Sequence, residues 1–308
     1  RCWWSTGLEL KDQACCSAKA KHHNAFQPVR EAEHVLTHLY TNRYPSLEAI
    51  THSSVANIQT VPGATAGDDT ISTDLLKDFV VDALAGDDSI KVTDTAESFT
   101  VKGMDGDDTI TIAGDASGKT KLNGRAGADV IDLQGAFTSS SIYGGKGTDS
   151  IKFDRNLTAA LVSGDTGDDT ITINGKVLAG TLIDGGADDD SIALNERIES
   201  STVLGGAAQD VIDVNDNSVD ALIKLGSHDD TFTVTGKHSG LIVKGNGDDD
   251  DITVEVGFSG TGDFYGGKGL DTLNLETTAK VSLYGDAGDD DFVLANVLST
   301  GATLSGGD

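Results

Sequence analysis

One aspartate returns about every 20 residues, and that spacing constrains this chain more than any other feature. It stands at Asp69, Asp88, Asp108, Asp129, Asp149, Asp169, Asp190, Asp210, Asp230, Asp250, Asp271 and Asp290, at successive spacings of 19, 20, 21, 20, 20, 21, 20, 20, 20, 21 and 19. Each copy lies in an acidic, glycine-rich stretch, two residues before an aliphatic or aromatic residue. A globular core has no reason to keep such time. A period this regular implies a stacked solenoid, in which each repeat is one coil.

Within a repeat the pattern reads as two short strands and two turns. After the aspartate comes an alternation such as Ile110-Thr111-Ile112, Ile171-Thr172-Ile173 or Phe232-Thr233-Val234, whose first and third members would face inward. The second strand precedes the next glycine, with an apolar residue two positions before it (three at Ile223): Val101, Leu122, Ile142, Val162, Ile183, Val203, Ile223, Val243, Phe264 and Leu283. Two residues earlier the inward position is often small, as at Thr120, Ser140, Ala160, Thr181, Ser201 and Ala221, which suits a thin coil. At a ladder spacing of about 4.8 Å, twelve coils would make a rod roughly 55 to 60 Å long. No repeat buries its apolar face alone, so stability is collective.

Stacking also sets like turns above one another and brings columns of carboxylates close together, where they repel. Residues 61 to 308 carry 45 acidic and 16 basic side chains, a net of −29, while the first sixty are close to neutral. A hard divalent cation removes the repulsion: calcium takes six to eight oxygen ligands from carboxylates and carbonyls and tolerates irregular geometry. Twelve stacked motifs leave eleven gaps, and one calcium in each would leave a net of about −7. The plainer reading makes the aspartates ordinary turn residues on a solvated solenoid, but turn preference does not explain one carboxylate at one register in every repeat.

The best copies, Gly144-Gly145-Lys146-Gly147-Thr148-Asp149-Ser150-Ile151-Lys152 and Gly266-Gly267-Lys268-Gly269-Leu270-Asp271-Thr272-Leu273-Asn274, match G-G-x-G-x-D-x-U-x. Over roughly residues 64 to 308 the chain resembles the RTX (repeats-in-toxin) calcium-binding β-roll family. The fold this implies is all-β: a right-handed parallel β-solenoid of about twelve coils, with a small, partly helical N-terminal segment. The ligands it implies are the twelve sixth-position aspartates above, with main-chain oxygens of glycines such as Gly145, Gly147, Gly267 and Gly269. Fifth-position acids, among them Asp68, Asp87, Asp107, Asp168, Asp189, Asp229, Asp249 and Asp289, either add charge or face solvent. The chain also departs from the family. Most copies replace the second glycine, and Asp188, Ala208, His228 and Asp248 stand where the fourth-position glycine belongs, so those turns are expected to hold an ion least well. Here one nonapeptide alternates with a less regular segment of about eleven residues, which predicts calcium turns on one side of the coil only.

Residues 1 to about 60 form a separate cap or linker, and 61 to 308 the repeat domain. The first segment holds Cys2, Cys15 and Cys16, both tryptophans and five of seven histidines. Around Pro28 to Tyr40 the pattern suits a helix with Val29, Ala32, Val35, Leu36 and Leu39 on one face, placed to cover the open edge of the first coil. His34 and His38 share a helix face at i, i+4, but His-Val-Leu-Thr-His lacks the glutamate of a zinc-protease helix. A Cys2 bridge to one of the vicinal cysteines and no bridge at all stay equally open. His22-His23 reads as a solvated pair, with a transition-metal site as the sharper alternative.

No nucleophile elbow, phosphate loop or paired acid–base constellation stands out, so no enzyme activity is expected. A pI near 4.3 argues against nucleic acid, and no apolar run approaches the ~18 to 20 residues of a transmembrane helix. Cytosolic free calcium is too low for turn sites of this kind, so an extracellular or cell-surface location is expected. The first residue is Arg, and Leu304 to Asp308 begin a thirteenth motif, so a longer parent protein is expected. Three functions compete. The first is a calcium-stiffened structural protein that assembles with copies of itself, as in an S-layer or filament, with cell-surface polysaccharide as a further partner. The second is the secretion and folding module of an RTX enzyme or toxin. The third is an adhesin or ice-binding solenoid, which the variable third and fifth positions (Lys146, Thr148, Ala187, Gln209, Ser227, Leu270) disfavour.

Overall fold

The computed structural model describes residues 64–74, 77–296 and 299–307. The readings placed on the N-terminal segment, namely its boundary, helix, cysteines and histidines, lie outside the described residues. Every regular element described is a β-strand, and every strand pairing is parallel, from Thr70↔Ser89 to Leu275↔Leu294. The described chain is therefore a parallel β-solenoid of about twelve coils, with strands at the predicted register.

One coil shows the plan. After Asp149 come a four-residue strand, Ser150–Phe153, a two-residue strand, Leu157–Thr158, and a six-residue strand, Leu161–Thr166. Four-residue strands stack into a 12-stranded sheet, while the other two classes share a 19-stranded sheet and fuse where the turn between them straightens, as in Lys237–Gly247. Seven successive coils, from the one opening at Ser89–Val92 to the one closing at Leu222–Ser227, thus have three strands where the sequence pattern predicts two. The third was obscured because its inward column changes character from coil to coil, through Ala116, Phe137, Leu157, Val177 and Ile198 to Ser218 and His238.

The interior is built from ladders. Ile110, Ile131, Ile151, Ile171 and Ile192 pair in register on successive coils, all essentially inaccessible to solvent. Each fully buried side chain of this size contributes roughly 1.5–3 kcal/mol, but only because coils above and below cover it. The second-strand column from Val101 to Leu283 is buried as predicted. The small column beside it is buried too, and its hydroxyls are satisfied locally: Thr120 donates to Ser117 O at 2.9 Å and Thr181 to Leu178 O at 2.7 Å. His238 is held similarly. Its Nε2 lies 2.8 Å from Thr235 O, which only accepts, so Nε2 carries the proton and Nδ1 accepts from Ser218 Oγ at 2.8 Å. The ring stacks on Phe258 at 4.6 Å, and burial holds its pKa below the usual range.

Candidate metal centre

All twelve repeat aspartates fall in one column at one corner of the coil, where the six-residue strand turns into the next four-residue strand. Two bends with positive φ make that corner. In the best copy they are Gly145 (129°) and Gly147 (116°), and in its twin Gly267 (123°) and Gly269 (138°). A left-handed φ costs little for glycine and more for any residue with a Cβ. The copies that lack glycine adopt the same bend nonetheless: Asp188 at 78°, Ala208 at 84°, His228 at 80° and Asp248 at 70°. Stacking imposes the turn, and the residue complies. The replacements therefore leave the aspartates after them, Asp190, Asp210, Asp230 and Asp250, buried like the others.

The repeat aspartates do not point outward. From Asp88 to Asp271 each is buried, and Oδ1 accepts the backbone N–H of the corresponding aspartate one coil earlier: Asp129 N–H to Asp149 Oδ1 at 2.7 Å, Asp149 N–H to Asp169 Oδ1 at 2.7 Å, and so along the column. The fifth-position acids run a second ladder in the opposite sense. Asp87 Oδ1 accepts Asp107 N–H at 3.0 Å, and Asp189 Oδ1 accepts Gln209 N–H at 3.0 Å. These exposed carboxylates thus cap a main-chain donor as well as adding charge.

The other oxygen of the buried column decides its chemistry. Oδ2 is inaccessible and has no hydrogen-bond partner in Asp88, Asp108, Asp129, Asp149, Asp169, Asp190, Asp210, Asp230, Asp250, Asp271 and Asp290. Asp69, in the first described coil, differs, since its Oδ2 accepts from Thr65 N–H at 2.6 Å. A buried carboxylate oxygen left alone is costly. Burial raises the pKa of Asp108, Asp149 and Asp210 to about 7, of Asp129, Asp169, Asp230 and Asp271 to about 6, and of Asp190 and Asp250 to about 8. The N–H bond to each column carboxylate opposes the shift, and in Asp108, Asp190 and Asp250 the carboxylates of the adjoining coils push it further up.

The first-position glycines show what borders Oδ2. A Cβ added to Gly144 would press on Asp149 Oδ2 and stand 2.7 Å from Gly164 O of the next coil; one added to Gly103 would press on Asp108 Oδ2 and stand 2.7 Å from Gly124 O. The same relation recurs at Gly185, where the added Cβ would stand 2.5 Å from Asp190 Oδ2 and press on Gly205 O. A carboxylate oxygen and a carbonyl oxygen of the following coil therefore face one small space that a side chain would fill. An all-oxygen donor set with one negative charge suits a hard cation such as calcium. Among the described residues no three His, Cys, Asp or Glu side chains converge, so any ion here takes most of its ligands from the main chain and water. The first-position carbonyls, such as those of Gly124 and Gly164, border the same place as Oδ2. The sequence pattern pointed to Gly145, Gly147, Gly267 and Gly269, which form the bends. The recurrence of a glycine four positions after the small inward residue, as in Thr120 and Gly124 or Ser140 and Gly144, was the signal available for the first position.

No family model matches the chain, and no curated protein matches its sequence. Among solved structures it is similar to the X-ray crystal structure of a hyperactive, Ca2+-dependent, β-helical antifreeze protein from an Antarctic bacterium. The TM-score is 0.59 and the identity 20%, over 80% of this chain and 84% of that one. At that identity the likeness shows the fold, a parallel β-solenoid, which the pairing register shows independently.

Proposed function

We propose that this chain is a calcium-stabilised extracellular structural protein that assembles with copies of itself on a cell surface, in an S-layer or filament. The observation that carries the calcium reading is the column of buried, unpartnered Oδ2 atoms, six of which border the same place as a carbonyl oxygen of the next coil. An ion between coils satisfies both oxygens, offsets the repulsion within the column and ties consecutive coils together. The sixth-position aspartates are its carboxylate ligands. The Ca2+ dependence of the structurally similar protein supports the same ion. Millimolar calcium outside cells supports an extracellular location.

Self-assembly rests on the outer face of the six-residue strands. Leu161, Leu182, Thr202, Leu222 and Ile242 pair in register there as one outward column, and Ile242 is 36% exposed. A column that is apolar but for Thr202, on the outer face of a parallel sheet, is the kind of surface another copy covers. The neighbour's antifreeze activity is not part of this reading, because third and fifth positions such as Lys146, Thr148, Lys268 and Leu270 repeat no threonine or asparagine ladder.

Calcium titrated into chelated protein, followed by far-UV circular dichroism and light scattering together, tests both parts. A coil-to-β transition with rising scatter is expected. A transition without scatter, leaving monomers at millimolar calcium, contradicts self-assembly and favours the secretion and folding module of a larger RTX protein. Absence of any transition contradicts the calcium reading.

A further inference from the structure

The first motif position differs among coils in a way that bears on where ions sit. Six consecutive coils have glycine there, from Gly103 to Gly205, and three more do at Gly245, Gly266 and Gly285. Between the two runs stands Leu225, fully buried, with the aspartate column continuing past it at Asp230. Ala83 holds the equivalent place in the second described coil and is also fully buried.

At every one of the nine glycines, an added Cβ would meet Oδ2 of the aspartate five residues on. At Gly103, Gly144, Gly164, Gly185, Gly205 and Gly245 it would also meet the first-position carbonyl of the next coil. The space between those two oxygens is available because the residue bordering it has no side chain. Leu225 puts a Cβ and a branched alkyl group into the same position relative to Asp230. Its main chain keeps the common register, with Gly226 paired to Asn246 as Gly206 is to Gly226. The cross-coil bonds are kept too: Asp230 Oδ1 accepts Asp210 N–H at 2.8 Å, and Asp230 N–H reaches Asp250 Oδ1 at 3.0 Å. An isobutyl group there supplies no ligand to a cation that needs six to eight oxygens, and it displaces the water that would complete the shell.

We propose that the first motif position selects which coils hold a calcium ion, and that Leu225 interrupts the ion column between Asp230 and the coil above. The column is then two blocks, one running from Asp108 to Asp210 and one from Asp250 to Asp290, with no ion at Asp88 or Asp230. This inference rests on the calcium reading. It departs from the even filling of one ion per gap that the spacing of the repeats suggests. Beside Leu225, coil-to-coil cohesion comes from the apolar ladder, which Leu225 itself extends.

The test is the number of calcium ions bound by the full chain, counted by native mass spectrometry and equilibrium dialysis, with circular dichroism confirming the fold. Leu225→Gly is expected to bind one ion more than the wild type. The converse variant, Gly185→Ala, is expected to bind at least one fewer, and it decides the matter if Leu225→Gly does not fold. Unchanged counts in a folded variant, beside a wild type that binds calcium, overturn the selector role and leave the calcium reading standing. A wild type that binds no calcium overturns both.

Discussion

Removing calcium should make this protein most stable in mild acid, and the buried aspartates set the size of the effect. In the unfolded chain these carboxyls titrate near 3.8, whereas in the fold burial holds nine of them at about 6 to 8. A group whose folded pKa is raised keeps its proton better in the fold. Its contribution is fully present below the unfolded value and is lost as pH rises through the folded one. Each such carboxyl withdraws about 1.4 kcal/mol per pH unit while it alone stays protonated, so nine together withdraw on the order of 10 kcal/mol per unit. That compares with a net stability of about 5–15 kcal/mol for a typical domain. In EDTA the chain should therefore be β-rich near about pH 5 and largely disordered near about pH 8. Excess calcium should reverse the trend, because the ion binds the deprotonated form and competes with protons. The assay is far-UV circular dichroism across that range, with light scattering to exclude aggregation. A chelated protein that keeps an unchanged β-signal from pH 5 to 8 would refute the reasoning, because buried, unneutralised carboxylates would then carry no cost.

Substitutions at three positions probe separate parts of the coil. Asp149→Asn keeps an oxygen for the Asp129 N–H but loses the charge, so calcium affinity should fall while the saturated protein keeps its fold. Asp149→Ala also strands that N–H, and should cost about 1–3 kcal/mol more in urea unfolding with calcium present; affinity equal to wild type in both variants would show that the carboxylate is not a ligand. Phe153→Ala removes a fully buried ring packed edge-on against Phe137 at 5.7 Å and should cost about 3–5 kcal/mol. A wild-type urea midpoint in that variant would contradict the interior ladder. Ala208→Gly relieves a φ of 84° and should stabilise by about 0.5–1 kcal/mol, read as a raised urea midpoint at constant slope.

The period carried most of the fold because parallel stacking converts sequence spacing directly into register. Ile110, Ile131 and Ile151 are 21 and 20 residues apart and pair across coils, so counting residues amounts to drawing the ladder. The two-residue strand escaped because its column passes from alanine to phenylalanine to histidine, which masks a position fixed in space. The aspartate column was legible from its invariant register, but the direction of its carboxylates was not. Sequence spacing cannot tell an outward carboxylate from one folded against its own first-position glycine. The cross-coil bond from Asp129 N–H to Asp149 Oδ1 also joins residues 20 apart, beyond any local pattern. The tolerance of Ala208 and His228 in left-handed bends was equally hidden, since it comes from the coils on either side.

The most direct test of the calcium column is anomalous diffraction from crystals grown in calcium. The prediction is a row of anomalous peaks inside the coil corner, within about 2.3–2.6 Å of the Oδ2 atoms of the aspartates that follow a first-position glycine, Asp149 among them. Peaks confined to the exposed carboxylates of Asp68, Asp87 and Asp107, or no peaks at all in a folded crystal, would contradict it.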